Sequence, residues 1–246
     1  YNNRTWYTDM FLAELRSRCT TIGATPVNLS AGGTRTVNTA CDVLQSWDGV
    51  YNTDSIGAHV FRVFIANYRE DFGTDLTVPF SAADPVARSD DTMLIALADG
   101  LEALDSVNIA YDSPLGDVQY YQPTGGVPPG GTPTTLGNPF QWHGGDGSID
   151  GAFNAIGVVT SPVAEDTVFP RIAPDTISNT AGLSDQSGEG WQMARGTSWH
   201  FGLEFTDQGP VAYGLTSYSQ SSDSDSTHFN DQSLRYSEED YRQFWF

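Results

Sequence analysis

The sequence predicts an α+β protein, helical in its first half and built of antiparallel strands in its last third. Apolar residues recur at helical spacing in four stretches before residue 105, and at period two around residues 199–215. No alternation of strand and helix is visible, which argues against a doubly wound parallel sheet. A Pro- and Gly-rich stretch lies between the two patterns. Three segments are therefore expected: 1–112 mainly helical, 113–140 a loop packed on other elements, and 141–246 strand-rich.

Phe11, Leu12 and Leu15 share one helical face. Ala40, Val43, Leu44 and Trp47 follow at i, i+3, i+4 and i+7 behind a Thr39-x-x-Asp42 capping box, and Ile56, Val60, Val63 and Phe64 repeat the pattern after Ser55. A fourth helix is expected over residues 92–104, where Leu94, Leu97, Leu101 and Leu104 form a stripe behind Asp90-Asp91. Gly125-Gly126, Pro128-Pro129-Gly130-Gly131 and Pro133 then break both kinds of ladder. Strands are expected over 153–159 and 190–194. Trp199, Phe201, Leu203 and Phe205 alternate with His200, Gly202 and Glu204, so that strand has one wet or one partner-covered face. The turn Thr206-Asp207-Gln208-Gly209-Pro210 leads into Val211, Tyr213 and Leu215 and closes a hairpin.

The 246 residues are 39% apolar and 12% aromatic, too rich in buriable surface for a disordered chain and long enough for a core without many cross-links. No apolar run approaches a membrane span. The first residues lack the basic and apolar halves of a signal peptide, so any targeting segment is expected elsewhere. Net charge is −20, and all 11 bases are Arg. Such a surface repels a phosphate backbone, which argues against nucleic acid as a partner. A Lys-free, Asp-rich surface fits a halophilic or marine source; an acidic secreted protein fits nearly as well. Cys19 and Cys41 show neither metal-ligand nor C-x-x-C spacing. Either they form a structural disulfide in an oxidising compartment or they are two buried free thiols.

Motifs for chemistry are sparse. G-x-S-x-G, a P-loop, a strand-linked G-x-G-x-x-G and H-E-x-x-H are all missing from the sequence. Asp146-Gly147-Ser148-Ile149-Asp150-Gly151 begins like a calcium loop, but its twelfth position is Gly157 where a bidentate Glu is needed. The polar run 221–228 reads as a solvated loop rather than a cation site. His59, His143, His200 and His228 have no metal-ligand spacing. His59 reads as a partial-core residue and His200 as the alternate face of a strand. His143, before Gly144-Gly145, is either near a cleft or hydrogen-bonded in a turn.

Phe140-Gln141-Trp142-His143-Gly144-Gly145-Asp146-Gly147, followed by Gly151-Ala152-Phe153-Asn154-Ala155-Ile156, resembles the H-G-G…F-N-x-I segment of the penicillin acylase family. The hairpin around Thr206-Asp207-Gln208-Gly209-Pro210 is similar to that family's late hairpin. Tyr218-Ser219-Gln220-Ser221-Ser222-Asp223 with His228-Phe229-Asn230-Asp231-Gln232 resembles its Y-G-Q-S-S-D…H-Y-x-D-Q signature. Asn3-Arg4, the helix to Cys19, and Ala40-Cys41 to Trp47-Asp48-Gly49 resemble its D-N-R…C…A-C…L-x-x-W-D-G elements. The likeness spans nearly the whole chain and is strongest with the branch of acyl-homoserine-lactone acylases and aculeacin-type deacylases.

That resemblance implies an N-terminal-nucleophile hydrolase with an αββα sandwich, exported to the periplasm or outside, that cleaves an N-acyl amide after its precursor is cut into α and β chains. The motifs correspond to the C-terminal part of a family β chain. The nucleophilic Ser, its nearby His and the oxyanion Asn belong upstream, so no catalytic residue is carried onto this sequence, which begins with Tyr1. Asn2, Asn3 and Asn154 occupy other motif positions. The implied partners are the upstream β segment, the α chain and a small N-acyl amide. No cofactor or metal is expected here, and a family-type structural calcium would take its ligands upstream. Trp142, Phe153 and Trp191 are candidates for one wall of the acyl pocket, with core packing as the alternative. A non-catalytic carbohydrate-binding module, or a scaffold that has lost hydrolysis, is the competing reading.

Overall fold

Thr5 and Thr8 decide how the chain enters its first helix. The Thr8 amide donates to Thr5 Oγ1 at 3.3 Å and the Thr8 hydroxyl donates to the Thr5 carbonyl at 2.6 Å, closing a tight turn before the helix. In this computed structural model the described residues are 3–71, 92–121, 140–147, 151–158 without Phe153, and 190–244 without residues 222 and 224. A π-helical turn, Thr8–Leu12, runs directly into α1, Ala13–Ile22, and buries Met10, Phe11, Leu12 and Leu15. Gly23 ends α1 at φ +54°, its amide donating back to the Cys19 carbonyl.

Strands β1, Val27–Asn28, and β2, Thr34–Arg35, form a short antiparallel pair. Helix α2, Asn38–Ser46, buries Ala40, Cys41 and Leu44 as its spacing predicts, but the expected capping box is not used. Val37 holds the cap position and the helix has already begun at Asn38, so Thr39 lies inside it. The other end of α2 is closed by a residue distant in sequence. Arg16 Nε donates to the Leu44 carbonyl at 2.7 Å, and the same guanidinium reaches the Trp47 carbonyl. A Cys19–Cys41 disulfide ties α1 to α2.

Helices α3, Ala58–Asp71, and α4, Thr92–Ser106, pack closely against each other. At Gly100 the contact is backbone against side-chain space, since an added Cβ would sit 2.7 Å from the Val63 carbonyl oxygen. Ile56 departs from the expected stripe. It precedes α3, is exposed, and forms an isolated bridge with Pro114. The residues Asp90 and Asp91 lie outside the described residues.

The stretch expected to be a loop over 113–140 is partly ordered structure. A 3₁₀ turn, Leu115–Asp117, leads into β3, Gln119–Tyr121, which lies inside a five-stranded sheet. Gly125-Gly126, Pro128-Pro129-Gly130-Gly131 and Pro133 lie outside the described residues. Around β3 stand β4, Phe140–Gln141; β5, Gly145–Asp146; β6, Ala155–Val158; and β7, Trp191–Gly196, in the order β4-β3-β7-β6-β5. The sheet is mixed: β3 runs parallel to β7 and β5 to β6, while β3–β4 and β6–β7 are antiparallel. The expected strand from residue 153 starts two positions later, at Ala155.

The hairpin forms as the alternation predicts. β8, Trp199–Thr206, pairs with β9, Gly209–Thr216, in continuous antiparallel register from Trp199↔Thr216 to Thr206↔Gly209. Gly209 adopts φ +110°, which suits the tight turn after Asp207-Gln208. Helix α5, Asp231–Ser237, then leads to β10, Arg242–Phe244, which adds to the far edge of β9. One apolar cluster joins the four large helices to the five-stranded sheet and reaches Leu215 and Tyr236. The architecture is α+β, with helices first and most strand residues toward the C-terminal end.

Two substitutions test this packing. Replacing both Cys19 and Cys41 with Ala opens a 22-residue separation and is expected to cost about 3 kcal/mol, read as a lowered denaturant midpoint. Gly100→Ala is expected to cost about 1–3 kcal/mol, because backbone stands where the new methyl must go.

Candidate functional site

The residues of the His143-Gly144-Gly145 and Asn154 motifs meet in a buried polar chain. Asn154 Nδ2 donates to the Tyr236 hydroxyl at 2.7 Å and to Asn3 Oδ1 at 2.9 Å. Tyr236 in turn donates to the His143 carbonyl at 2.9 Å, and Asn3 Nδ2 donates to Asn52 Oδ1 at 2.6 Å. Asn3, Asn154, His143 and Tyr236 are all buried. The chain of bonds joins the N-terminal segment, the turn at residues 52–55, the approach to β5, the approach to β6, and α5.

His143 is held at both ring nitrogens. The Thr53 amide donates to Nδ1 at 3.2 Å, and Nε2 lies 3.1 Å from the Ser237 carbonyl, so the proton sits on Nε2. Burial pushes its pKa down, opposed by that carbonyl and by Glu239 and Asp54. A ring whose acceptor nitrogen is already occupied by a backbone amide has no lone pair left for a general base. Gly144 completes the turn at φ +103°, where a Cβ would meet the Asn154 carbonyl oxygen at 2.6 Å. Gln119 Nε2 anchors the same loop from β3, donating to the Trp142 and Gly144 carbonyls at 2.6 and 2.8 Å.

Across the molecule, a groove of about 480 Å³ is lined by Thr39, Asp42, Val43, Asp105 and Ile109 to Asp112. Arg35 guards one side, bonded to Glu102 and Asp105 at 2.7 Å each, and Tyr111 donates to Asp105 at 2.6 Å. Burial and the Asp105 carboxylate push the Tyr111 phenol up to about 12, so it stays protonated. The groove contains none of the candidate site residues; Thr39, Asp42 and Val43 enter it from the helix α2 pattern. Among the described residues, no group of three or more His, Cys, Asp or Glu converges as metal ligands would.

The polar chain is thus built from the motif residues themselves, and the family model for penicillin amidase matches residues 1–246. The chain belongs to the penicillin amidase family. A search of curated proteins finds no match. Membership makes this an amidohydrolase-family chain, and the helices and small sheets agree with the family's α+β fold. No described helix is long and apolar enough to cross a membrane.

Within this penicillin amidase chain the expected wall residues are placed as follows. Trp142 is 1% exposed, with ring centroids of Tyr236, Tyr121 and Tyr218 at 4.3, 4.9 and 5.3 Å. Trp191 is equally buried and carries the Arg62 guanidinium 4.8 Å above its ring, while Tyr51 lies 5.4 Å from the same cation. Phe153, and Ser148, Ile149 and Asp150 of the calcium-like stretch 146–151, lie outside the described residues. His59 is fully buried rather than part-buried, and Nε2 lies 3.0 Å from the Ala110 carbonyl. His200 is buried against Tyr236 and Tyr241. His228 is exposed and bonded to Asp231 at 3.1 Å. Tyr236, Gln119 and Arg62 escaped sequence reasoning. Arg62 sits in the middle of a helical stripe where a cation is not expected, and that is the only signal it gives.

Burial lowers His59 and His200 to about 4 each. The unfolded chain then binds more protons than the folded one between the ordinary histidine value near 6.5 and about 4, so stability falls as pH falls through that window. For His59 the loss approaches roughly 3 kcal/mol at the bottom of the window. Denaturant midpoints measured from pH 8 to pH 4 are expected to drop steadily below pH 6.5, and His59→Gln is expected to flatten that slope whatever it does to the midpoint at pH 8.

Proposed function

We propose that this chain is the carboxy-terminal portion of a secreted amidohydrolase, extracellular or periplasmic, that cleaves N-acyl amides. The family match over residues 1–246 carries the reading. Its support lies in how the motif residues are used: His143, Gly144, Asn154 and Asn3 are committed to bracing the fold through buried hydrogen bonds. The nucleophile, an amino-terminal Ser, then stands on an upstream β segment. Its free α-amino group, with a pKa near 8, takes the hydroxyl proton as the oxygen attacks the amide carbonyl. Backbone and Asn donors stabilise the oxyanion, the amine leaves with the proton, and water releases the acyl group as a carboxylic acid. Acyl-homoserine lactones, lipopeptides and penicillins are the substrate classes in view.

This chain's part is to complete the sandwich and to seat Trp142, Phe153 and Trp191 behind or along one wall of the acyl pocket. The upstream β segment and the α chain of the same precursor are its partners. The acidic, Lys-free composition fits secretion into a saline medium.

A serine-directed sulfonyl fluoride applied to the native protein provides the test, with intact-mass measurement of every polypeptide and release of free amine from N-acyl amides as readouts. One adduct is expected on a companion's amino-terminal Ser, together with loss of hydrolysis, while this chain keeps its mass. An adduct on this chain, or a native protein that hydrolyses no N-acyl amide, would falsify the assignment. Retention on polysaccharide without hydrolysis would favour a binding module instead.

A further inference from the structure

The groove between α2 and the segment after α4 joins apolar and acidic surface in one space. Val43, Ile109 and Ala110 supply the apolar part, and Asp42, Asp105 and Asp112 line the same volume of about 480 Å³. That volume suits a small molecule rather than a bare ion. The three acids are not equivalent. Asp105 already accepts from Arg35 at 2.7 Å and from Tyr111 at 2.6 Å. Asp42 and Asp112 are exposed and have neither an ion pair nor a side-chain hydrogen bond among the described residues. The last turn of α4, which ends at Ser106, holds Asp105 and no basic residue, so the carbonyl end of that helix adds to the negative potential.

We infer that this groove binds a small alkylammonium ion, its charge answering Asp42 and Asp112 and its alkyl chain lying on Val43, Ile109 and Ala110. Charge complementarity selects the sign. The apolar lining selects the chemistry, because an alkyl chain gains from burial there and a hydrated metal ion does not. Among the described residues no three His, Cys, Asp or Glu groups converge as metal ligands. Tyr111 lines the groove as well, and an aromatic face attracts an ammonium. The neighbouring bases are not free to fill the place. Arg35 is taken up by Glu102, Asp105 and Tyr111. His59 is bonded through Nε2 to the Ala110 carbonyl at 3.0 Å, and burial lowers it to about 4, so it stays neutral. The site shares no residue with the buried polar chain around Tyr236 and does not depend on the amidohydrolase reading. A −20 chain attracts every cation diffusely; only a built groove tells an alkylammonium from potassium.

Calorimetric titration of the native protein with hexylammonium chloride at low ionic strength tests this, with hexanol and potassium chloride as comparison probes. Saturable binding of hexylammonium is expected, at least about tenfold tighter than that of either comparison probe. Asp42→Asn and Asp112→Asn are expected to weaken it about threefold each and about tenfold together. Asp207→Asn, on the turn between β8 and β9, changes the net charge equally and is expected to leave binding as it was. Unchanged denaturant midpoints show that the variants fold, and should one fail to fold, the ratio of hexylammonium to hexanol affinity in the unaltered protein still decides. Equal weakening by Asp207→Asn, or equally tight binding of potassium, reduces the effect to diffuse charge and overturns the site. Absence of saturable binding overturns it as well, and so does binding that survives the double substitution.

Discussion

Everything else in the chain depends on one buried hydroxyl. Tyr236 stands between the Asn154 amide, from which it accepts, and the His143 carbonyl, to which it donates. Through it, α5 near the C-terminus is joined to the approaches to β5 and β6, and through Asn3 to the first described residues. An unpaired polar group in such a place costs about 1–3 kcal/mol, far more than a hydrogen bond contributes in net terms at the surface. Removing one member orphans its neighbours, so the groups hold one another in a single arrangement. Gly144 belongs to the same constraint. Its positive φ and the nearby Asn154 carbonyl leave no room for a side chain, and this close approach brings the His143 carbonyl within reach of the phenol.

The Arg-only cation set follows a related logic. Arg16 closes the end of α2 with two different nitrogens on two carbonyls, and Arg35 bridges Glu102, Asp105 and Tyr111. Arg62 is 2% exposed and lies over aromatic rings. Each use needs several fixed donors or a flat, weakly hydrated cation, which a guanidinium supplies and an ammonium does not. These three cations hold elements together, and the excess of acids gives the chain its sign.

Legibility in the sequence divides along the same line. α2, α4 and the β8–β9 hairpin could be read because their apolar spacing matches the period of the element they form. The start of α2 could not, since Val37 rather than Thr39 holds the cap position and no side chain caps it, while the far end of the helix is closed by Arg16, 28 positions from Leu44. β3 was hidden at the head of a Pro- and Gly-rich stretch: three residues, Gln119–Tyr121, are too few to show a period, and their partners in β7 lie some seventy positions away. Ile56 carried the right spacing but the helix begins after it at Ala58. Of the polar chain, His143 and Asn154 were visible only as motif letters, and Tyr236 only as one tyrosine among eleven. Hydrogen-bond partners that meet across 82 or 93 positions leave no local trace.

The hairpin shows how far alternation alone can go. A period of two says that a strand has two chemically different faces and fixes every residue to one of them. It does not say which face is inside. In β8 the smaller and more polar set contains His200, which packs 5.0 Å from Tyr236 and 6.1 Å from Tyr241 and so ties the hairpin to α5. The larger set, Trp199 to Phe205, is left facing outward. Inside is defined by whatever packs against a face, and for β8 this chain's own helix takes the histidine side.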